Sequence, residues 1–169
     1  GISGYSGISG YSGSGVSGYS GYSGFSGASG VSSSYYFYKA NTSATSGDPG
    51  SDYLLWNNAT QTSATQINIS HLTTDNIDID VFLASIQNTQ KFIIQDSSNS
   101  SNYQIWQVNG TPTNSNPGTV NSYWTYPVTL SSSSGTGITN FANNTSVIFA
   151  INSGVIGPTG PTGPQGIQG

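Results

Sequence analysis

The side chains that could carry chemistry are few. His71 is the sole histidine, and a Ser/His/Asp relay could be assembled around it from abundant serines and six aspartates. Such a relay needs the imidazole held between a hydroxyl and a carboxylate. With serine this common the coincidence costs little, so a solvated or hydrogen-bonded histidine at a strand end is the expected role. Asp75, Asp78 and Asp80 offer paired carboxylates. Glycoside hydrolysis needs two carboxyl groups roughly 5 to 9.5 Å apart, one of them with a raised pKa. The chain has no glutamate, however, and it is short for a substrate cleft. The same aspartates could gather oxygen ligands for Ca²⁺, but Ile77 and Ile79 separate them and the spacing matches no calcium loop. A polar helix start is expected there, with no catalytic residue, cofactor or metal ion.

Aromatic side chains make the better case for recognition, because sugar rings stack on aromatic faces while amides take the hydroxyls. Trp56, Trp106 and Trp124 are the three tryptophans. A strand tryptophan is more often core than platform. The run Ser122 to Tyr126 has too many aromatics to bury them all, so Tyr123, Trp124 and Tyr126 are the expected glycan contacts. Seven Asn-x-Ser/Thr sequons, at Asn41, Asn58, Asn68, Asn99, Asn109, Asn143 and Asn144, are close to what so much Asn, Ser and Thr produces by chance.

Charge narrows the partners. Charged residues are 5% of the chain, and Lys39 and Lys91 are its only cations. Two lysines cannot neutralise a phosphate backbone, so nucleic acid is not an expected partner. No apolar run approaches the roughly 18 residues of a membrane span, and no membrane contact is expected. Cys and Met are both absent, which removes disulfides, thiolate chemistry and the most oxidisable side chains. Solubility rests on uncharged polar groups.

The strongest signal is positional. Glycine recurs at 1, 4, 7, 10 and 13, slips by one residue, and resumes at 15, 18, 21, 24, 27 and 30; it recurs again at 157, 160, 163, 166 and 169. Glycine at every third position is what three polyproline-II strands need where each crosses a common axis. Gly1, Gly4, Gly7, Gly10, Gly18, Gly21, Gly24, Gly27, Gly157, Gly160, Gly163 and Gly166 are the expected axis residues of a homotrimer. Pro158, Pro161 and Pro164 fix φ near the required value and lower the ordering cost in the second tract. The first tract has no proline and places Tyr5, Tyr11, Tyr19, Tyr22 and Phe25 mid-triplet. For it a triple helix, a bundle of glycine-rich extended helices and a flexible linker all stay open. Both ends of the chain fall within repeats, from which a part of a longer polypeptide is expected.

Three segments follow: a collagen-like stalk at 1–30, a β-rich module at 31–156, and a second stalk at 157–169. Within the module, apolar runs at 35–38, 53–56, 67–69, 92–94, 103–108, 123–130 and 147–151 read as strands. Asp48-Pro49-Gly50, Ser97 to Ser101, Asn116-Pro117-Gly118 and Ser131 to Gly137 read as turns between them. The expected fold class is all-β, a compact sandwich or small barrel, with a turn or two of helix between Asp78 and Asn88. The expected core is Tyr36, Leu54, Trp56, Ile67, Ile69, Phe82, Ile86, Ile93, Ile105, Val128, Ile148 and Phe149. Packing between modules is expected through Tyr35 to Tyr38.

The stretch from Asp48 to Thr60, with Gln66-Ile67-Asn68-Ile69-Ser70 after it, resembles a module of collagen-like tail and fibre proteins of tailed bacteriophages. So do the Gly-Tyr-Ser-Gly-Phe-Ser repeats and the hairpin from Ile93 to Trp106. The chain departs from that pattern at Asp52, where glycine is expected, and at Leu55, where a basic or polar residue is more usual. The resemblance implies a structural or host-contacting fibre part at a virion surface or outside a cell, with no catalytic residue to carry over. A weaker similarity runs to spore-surface and giant-virus collagen-like proteins, through the Gly-Pro-Thr triplets. The expected function is a fibre segment that spaces and trimerises, joined to adjoining segments. The alternatives are a module binding a host-surface glycan and a subunit of a self-assembling extracellular filament.

Overall fold

The computed structural model describes residues 35–152. Both repeat tracts, with every axis glycine named above, lie outside the described residues. Eight strands form one sheet: β1 Tyr35–Asn41, β2 Tyr53–Trp56, β3 Gln66–Ser70, β4 Lys91–Asp96, β5 Tyr103–Val108, β6 Thr113–Ser115, β7 Tyr123–Ser134 and β8 Ser146–Ile151. The sheet runs β3-β2-β1-β8-β4-β5-β7-β6, and β3 also pairs with β7. That extra pairing closes seven strands into a barrel and leaves β6 beside the first half of β7. Closure removes the unpaired edges that would otherwise template aggregation. Between the sandwich and the small barrel, the chain forms the barrel.

Every apolar run read as a strand is one. The alternation of side chains along each strand then decides which residues are core. Strand β4 turns Phe92 and Ile94 inward, β5 turns Trp106 and Val108 inward, and β8 turns Val147 and Phe149 inward, all of them buried. They join Tyr38, Leu54, Trp56, Ile67, Ile69, Tyr126 and Val128 in one cluster, and each such side chain stabilises by about 1.5–3 kcal/mol when fully buried. Ile93, Ile105 and Ile148, expected in this core, have the opposite parity and stand half-exposed on the outer wall. Tyr36 and Phe82 are partly buried against the cluster. Their rings meet edge to face at 4.8 Å.

The interior also holds a polar knot. Gln104 lies on the inward side of β5, and its Oε1 accepts the indole N–H of Trp56 at 2.9 Å and of Trp106 at 3.0 Å. Its Nε2 donates to the Gly137 carbonyl at 2.9 Å and to Gln61 Oε1 at 3.2 Å. Gln61 in turn donates to the Phe141 carbonyl and accepts the Phe141 N–H, both at 2.9 Å. Among the described residues no buried side-chain polar atom lacks a partner, the condition under which a buried network stabilises. The knot explains Gly137, because a Cβ there would collide with the Tyr103 carbonyl.

Differences from expectation lie in polar sequence. Ser131 to Ser134, read as a turn, continue β7 past a bulge opposite Ile105/Trp106, since backbone pairing to β5 needs no apolar side chain. Helix α1, Asp80–Ser85, is within the turn or two expected there, with the Asp78 carboxylate accepting the Asp80 N–H at 3.0 Å. A short 3-10 helix, Gln61–Ser63, and a single turn, α2 Thr136–Thr139, complete the elements.

The loop from Thr42 to Asp52 joins the parallel pair β1 and β2 and folds across the outer wall. Asn41, Leu55 and Asn68 form one cross-strand row. Asn41 Nδ2 donates to the Pro49 carbonyl at 2.9 Å, and Asn68 Nδ2 donates to the Gly47 carbonyl at 2.7 Å. The segment between those anchors therefore bridges Leu55, which is fully buried although it points away from the core. A basic residue would be out of place beneath it. Asp52 closes the loop at φ 64°, a left-handed conformation that glycine adopts without strain. Its carboxylate accepts Lys39 Nζ at 2.8 Å.

Candidate functional site

The aromatic run of β7 was the expected contact surface, and strand parity splits it. Tyr126 points inward and is fully buried. Its ring meets Phe92 at 5.8 Å, and its hydroxyl donates to the Leu83 carbonyl at 2.7 Å. Burial pushes its phenol well above the ordinary range, with Tyr38 and Asp80 adding to the rise. Tyr126 is therefore corrected from glycan contact to core. Trp124 shares its inward parity and is half-buried against the cluster. Its indole N–H donates to Asp80 Oδ1 at 2.7 Å, and the same oxygen accepts Asn114 Nδ2 at 3.1 Å. Tyr123 points outward, opposite Ser70 on β3 and Ser115 on β6. The three residues thus form no common platform, because consecutive strand residues face opposite sides.

His71 is almost buried after β3. Its Nδ1 lies 3.3 Å from Asp78 Oδ1, and its Nε2 lies 3.3 Å from the Val120 carbonyl. Both ring nitrogens thus face acceptors and tie the loop after β3 to the loop before β7. The hydrogen bonds of its ring do not include a serine hydroxyl. Asp78 serves the histidine and the start of α1, whereas Asp80 serves Trp124 and Asn114. Among the described residues, no three His, Cys, Asp or Glu side chains cluster as metal ligands would.

An open concavity of uniform chemistry lies elsewhere. Asn41, Ser43, Tyr53, Asn143 and Asn144 line a shallow groove of about 230 Å³. It adjoins a recess of about 70 Å³ that shares Asn41 and reaches Asn58 and Gln61. Tyr53 donates its hydroxyl to Asn144 Oδ1 at 2.8 Å, and Asn143 Oδ1 accepts the Thr42 N–H at 3.0 Å. Lys39 lies 5.5 Å over the Tyr53 ring. Its ammonium is held above the ordinary range, first by the hydrogen bond to Asp52 and then by that carboxylate's charge. Apart from this one ion pair, the groove presents neutral amides and hydroxyls.

No family model, curated protein or solved structure matches this chain. Residue roles therefore rest on geometry. The sequence reading met Asn41, Asn143 and Asn144 only as sequons and missed their convergence. Groove partners about a hundred residues apart in the chain leave no local pattern to find. Asp80 was missed as the indole acceptor for the same reason.

Proposed function

We propose that this chain is a structural segment of a trimeric fibre of the kind carried by tailed bacteriophages, in which a β-barrel module interrupts a Gly-x-y stalk. The observation that carries the reading is the glycine period at both ends of the chain. A lone strand of that pattern has no internal hydrogen bonds, and three strands supply them to one another. The barrel is compatible with insertion into such a stalk. Tyr35, the first residue of β1, is the register partner of Ala150, next to last in β8. The chain thus enters and leaves the barrel on neighbouring strands, and a stalk could resume close to where it stopped.

The reading is non-catalytic. It draws support from carboxylates and a histidine already committed to loop anchoring. The glycan-binding alternative has lost Tyr126 from its expected platform. The test is the native mass of the full chain with both tracts intact. A trimer is expected, and a monomer or dimer overturns the reading.

A further inference from the structure

We infer that the outer face of β1, β8, β4 and β5 is the surface through which the barrels of neighbouring copies of this chain pack on one another. The inference deepens the fibre reading and rests on it for what brings the copies together. Two cross-strand rows define the face. One runs Tyr35, Ala150, Ile93, Ile105, and the other runs Phe37, Ile148, Gln95, Tyr103. Seven of these eight positions are apolar or aromatic, on a chain whose solubility otherwise rests on Ser, Thr, Asn and Gln. Tyr35 is 56% exposed, and its ring stands edge-on to Phe37 at 5.7 Å. The remaining side chains of both rows are half-exposed.

Antiparallel sheets with one face to water normally alternate apolar inside with polar outside. The neighbouring wall keeps closer to that rule, with Gln66, Asn68 and Thr125 outward on β3 and β7 among Tyr53, Tyr123 and Pro127, and the loop from Thr42 to Asp52 folded over Leu55. The β1-β8-β4-β5 wall breaks the rule on four adjacent strands. A contiguous apolar patch of this kind marks an interaction surface.

A second copy of this chain is the occupant because of where the rest of the chain is attached. The 34 residues before Tyr35 and the 17 after Asn152 both join the barrel at one corner of this face. On the fibre reading their glycine period joins three chains. Assembly would therefore hold three such corners together at high effective concentration, where even a modest apolar contact is populated. Tyr36 and Tyr38, the other half of the aromatic run at the start of β1, are turned inward and take no part.

Two experiments on the full chain decide it. Replacing Ile93 and Ile105 together with asparagine should raise the concentration for half-dissociation about tenfold or more, which for a trimer is about a hundredfold in its dissociation constant, a loss of ~2.8 kcal/mol per trimer. The near-UV circular dichroism of the barrel should not change. Independently, because the chain has no cysteine, Ile93→Cys gives a single thiol for maleimide labelling. In the assembly it should react about tenfold more slowly than Ser43→Cys, which lies outside this face, with the contrast fading as dilution separates the copies. A trimer whose dissociation ignores the double change, with Ile93→Cys labelled as fast as Ser43→Cys, overturns the inference and leaves the fibre reading standing. A dimer weakened by the double change supports this surface and overturns the trimer. Slow labelling that persists in a monomer shows that no second copy is needed to shield Ile93 and overturns the inference. A monomer with fast labelling overturns both.

Discussion

The barrel has two outer walls built on the same strand geometry, and they solve the exposure of apolar surface differently. On β1, β2 and β3 the apolar outward residue is Leu55, and the chain covers it with its own loop, pinned by the amides of Asn41 and Asn68. On β1, β8, β4 and β5 the outward residues are Tyr35, Phe37, Ile93, Ile105 and Ile148, and they remain half-exposed. A covered wall stabilises the single barrel. An uncovered one stabilises the single barrel less and has more to gain when another surface arrives. Substitutions on the two walls should therefore be felt by different measurements.

The largest expected effect is on the covered wall. Leu55→Ala leaves a cavity beneath a pinned loop, and Leu→Ala at a buried site costs about 2–5 kcal/mol. Urea unfolding of the barrel should show a loss in that range. A loss near zero would mean that the loop collapses onto the smaller side chain or is not pinned. Next comes Asn68→Leu. Asn68 donates to the Gly47 carbonyl and accepts both Gln66 Nε2 at 3.1 Å and Thr125 Oγ1 at 3.0 Å. Leaving such groups buried without partners costs about 1–3 kcal/mol. Proteolysis within the Thr42 to Asp52 loop should accelerate in this variant, and an unchanged cleavage rate would count against the bridge over Leu55. The paired change at Ile93 and Ile105 should leave unfolding within about 1 kcal/mol of the parent, as substitutions at incompletely buried sites usually do. A larger loss would erase the difference between the walls.

Much of the barrel was legible because strand existence needs only apolar runs bounded by turns, and each of the seven runs became a strand. The parity of a run was less legible. In Ile93-Ile94, Ile105-Trp106 and Ile148-Phe149 two apolar neighbours compete for one inward position, and composition cannot rank them. Register can: pairing with β8 and β5 sends Ile94, Phe149 and Trp106 inward together, so one error of parity recurs across adjacent strands. The misplaced isoleucines are the ones that make up the uncovered wall. The Ser131 to Ser134 extension and β6 were illegible because only backbone pairing defines them. The contact reading lost Tyr126 to the same alternation, since neighbouring strand residues face opposite sides and Tyr126 takes an inward position.

The smallest expected effect separates the walls by pH. Asp96 ends β4 at the rim of the uncovered wall. Its Oδ1 accepts the N–H of Ser98 at 2.8 Å and the Ser98 hydroxyl at 2.7 Å, while Oδ2 takes a long contact of 3.4 Å from Asn102 Nδ2. The Ser98 backbone bond, followed by its hydroxyl, holds the carboxyl below the usual range. A depressed folded pKa means that the ionised form is the one favoured by folding. Its stabilisation is present above the ordinary value of about 3.9 and is lost as pH falls through the lower folded value. Lys39 on the covered wall is raised instead, so its contribution is present below about 10.4 and lost as pH rises through the folded value. Buried Tyr38 and Tyr126, both raised by burial, weaken the barrel in the same alkaline direction and would mask the lysine. The acid arm is therefore the clean one. Both ionic groups are solvent-facing, where such interactions contribute little, so the shift in melting temperature should be small. Between pH 5 and pH 2.5 the parent should lose slightly more thermal stability than Asp96→Asn, which keeps an acceptor for Ser98 but cannot titrate. Amide signals of Ser98 and Asn102 should move with that titration, while those of Thr89 and Val108, which are bonded to backbone carbonyls, should not follow it. Identical acid profiles for parent and variant would show that the turn after β4 is held by its backbone alone.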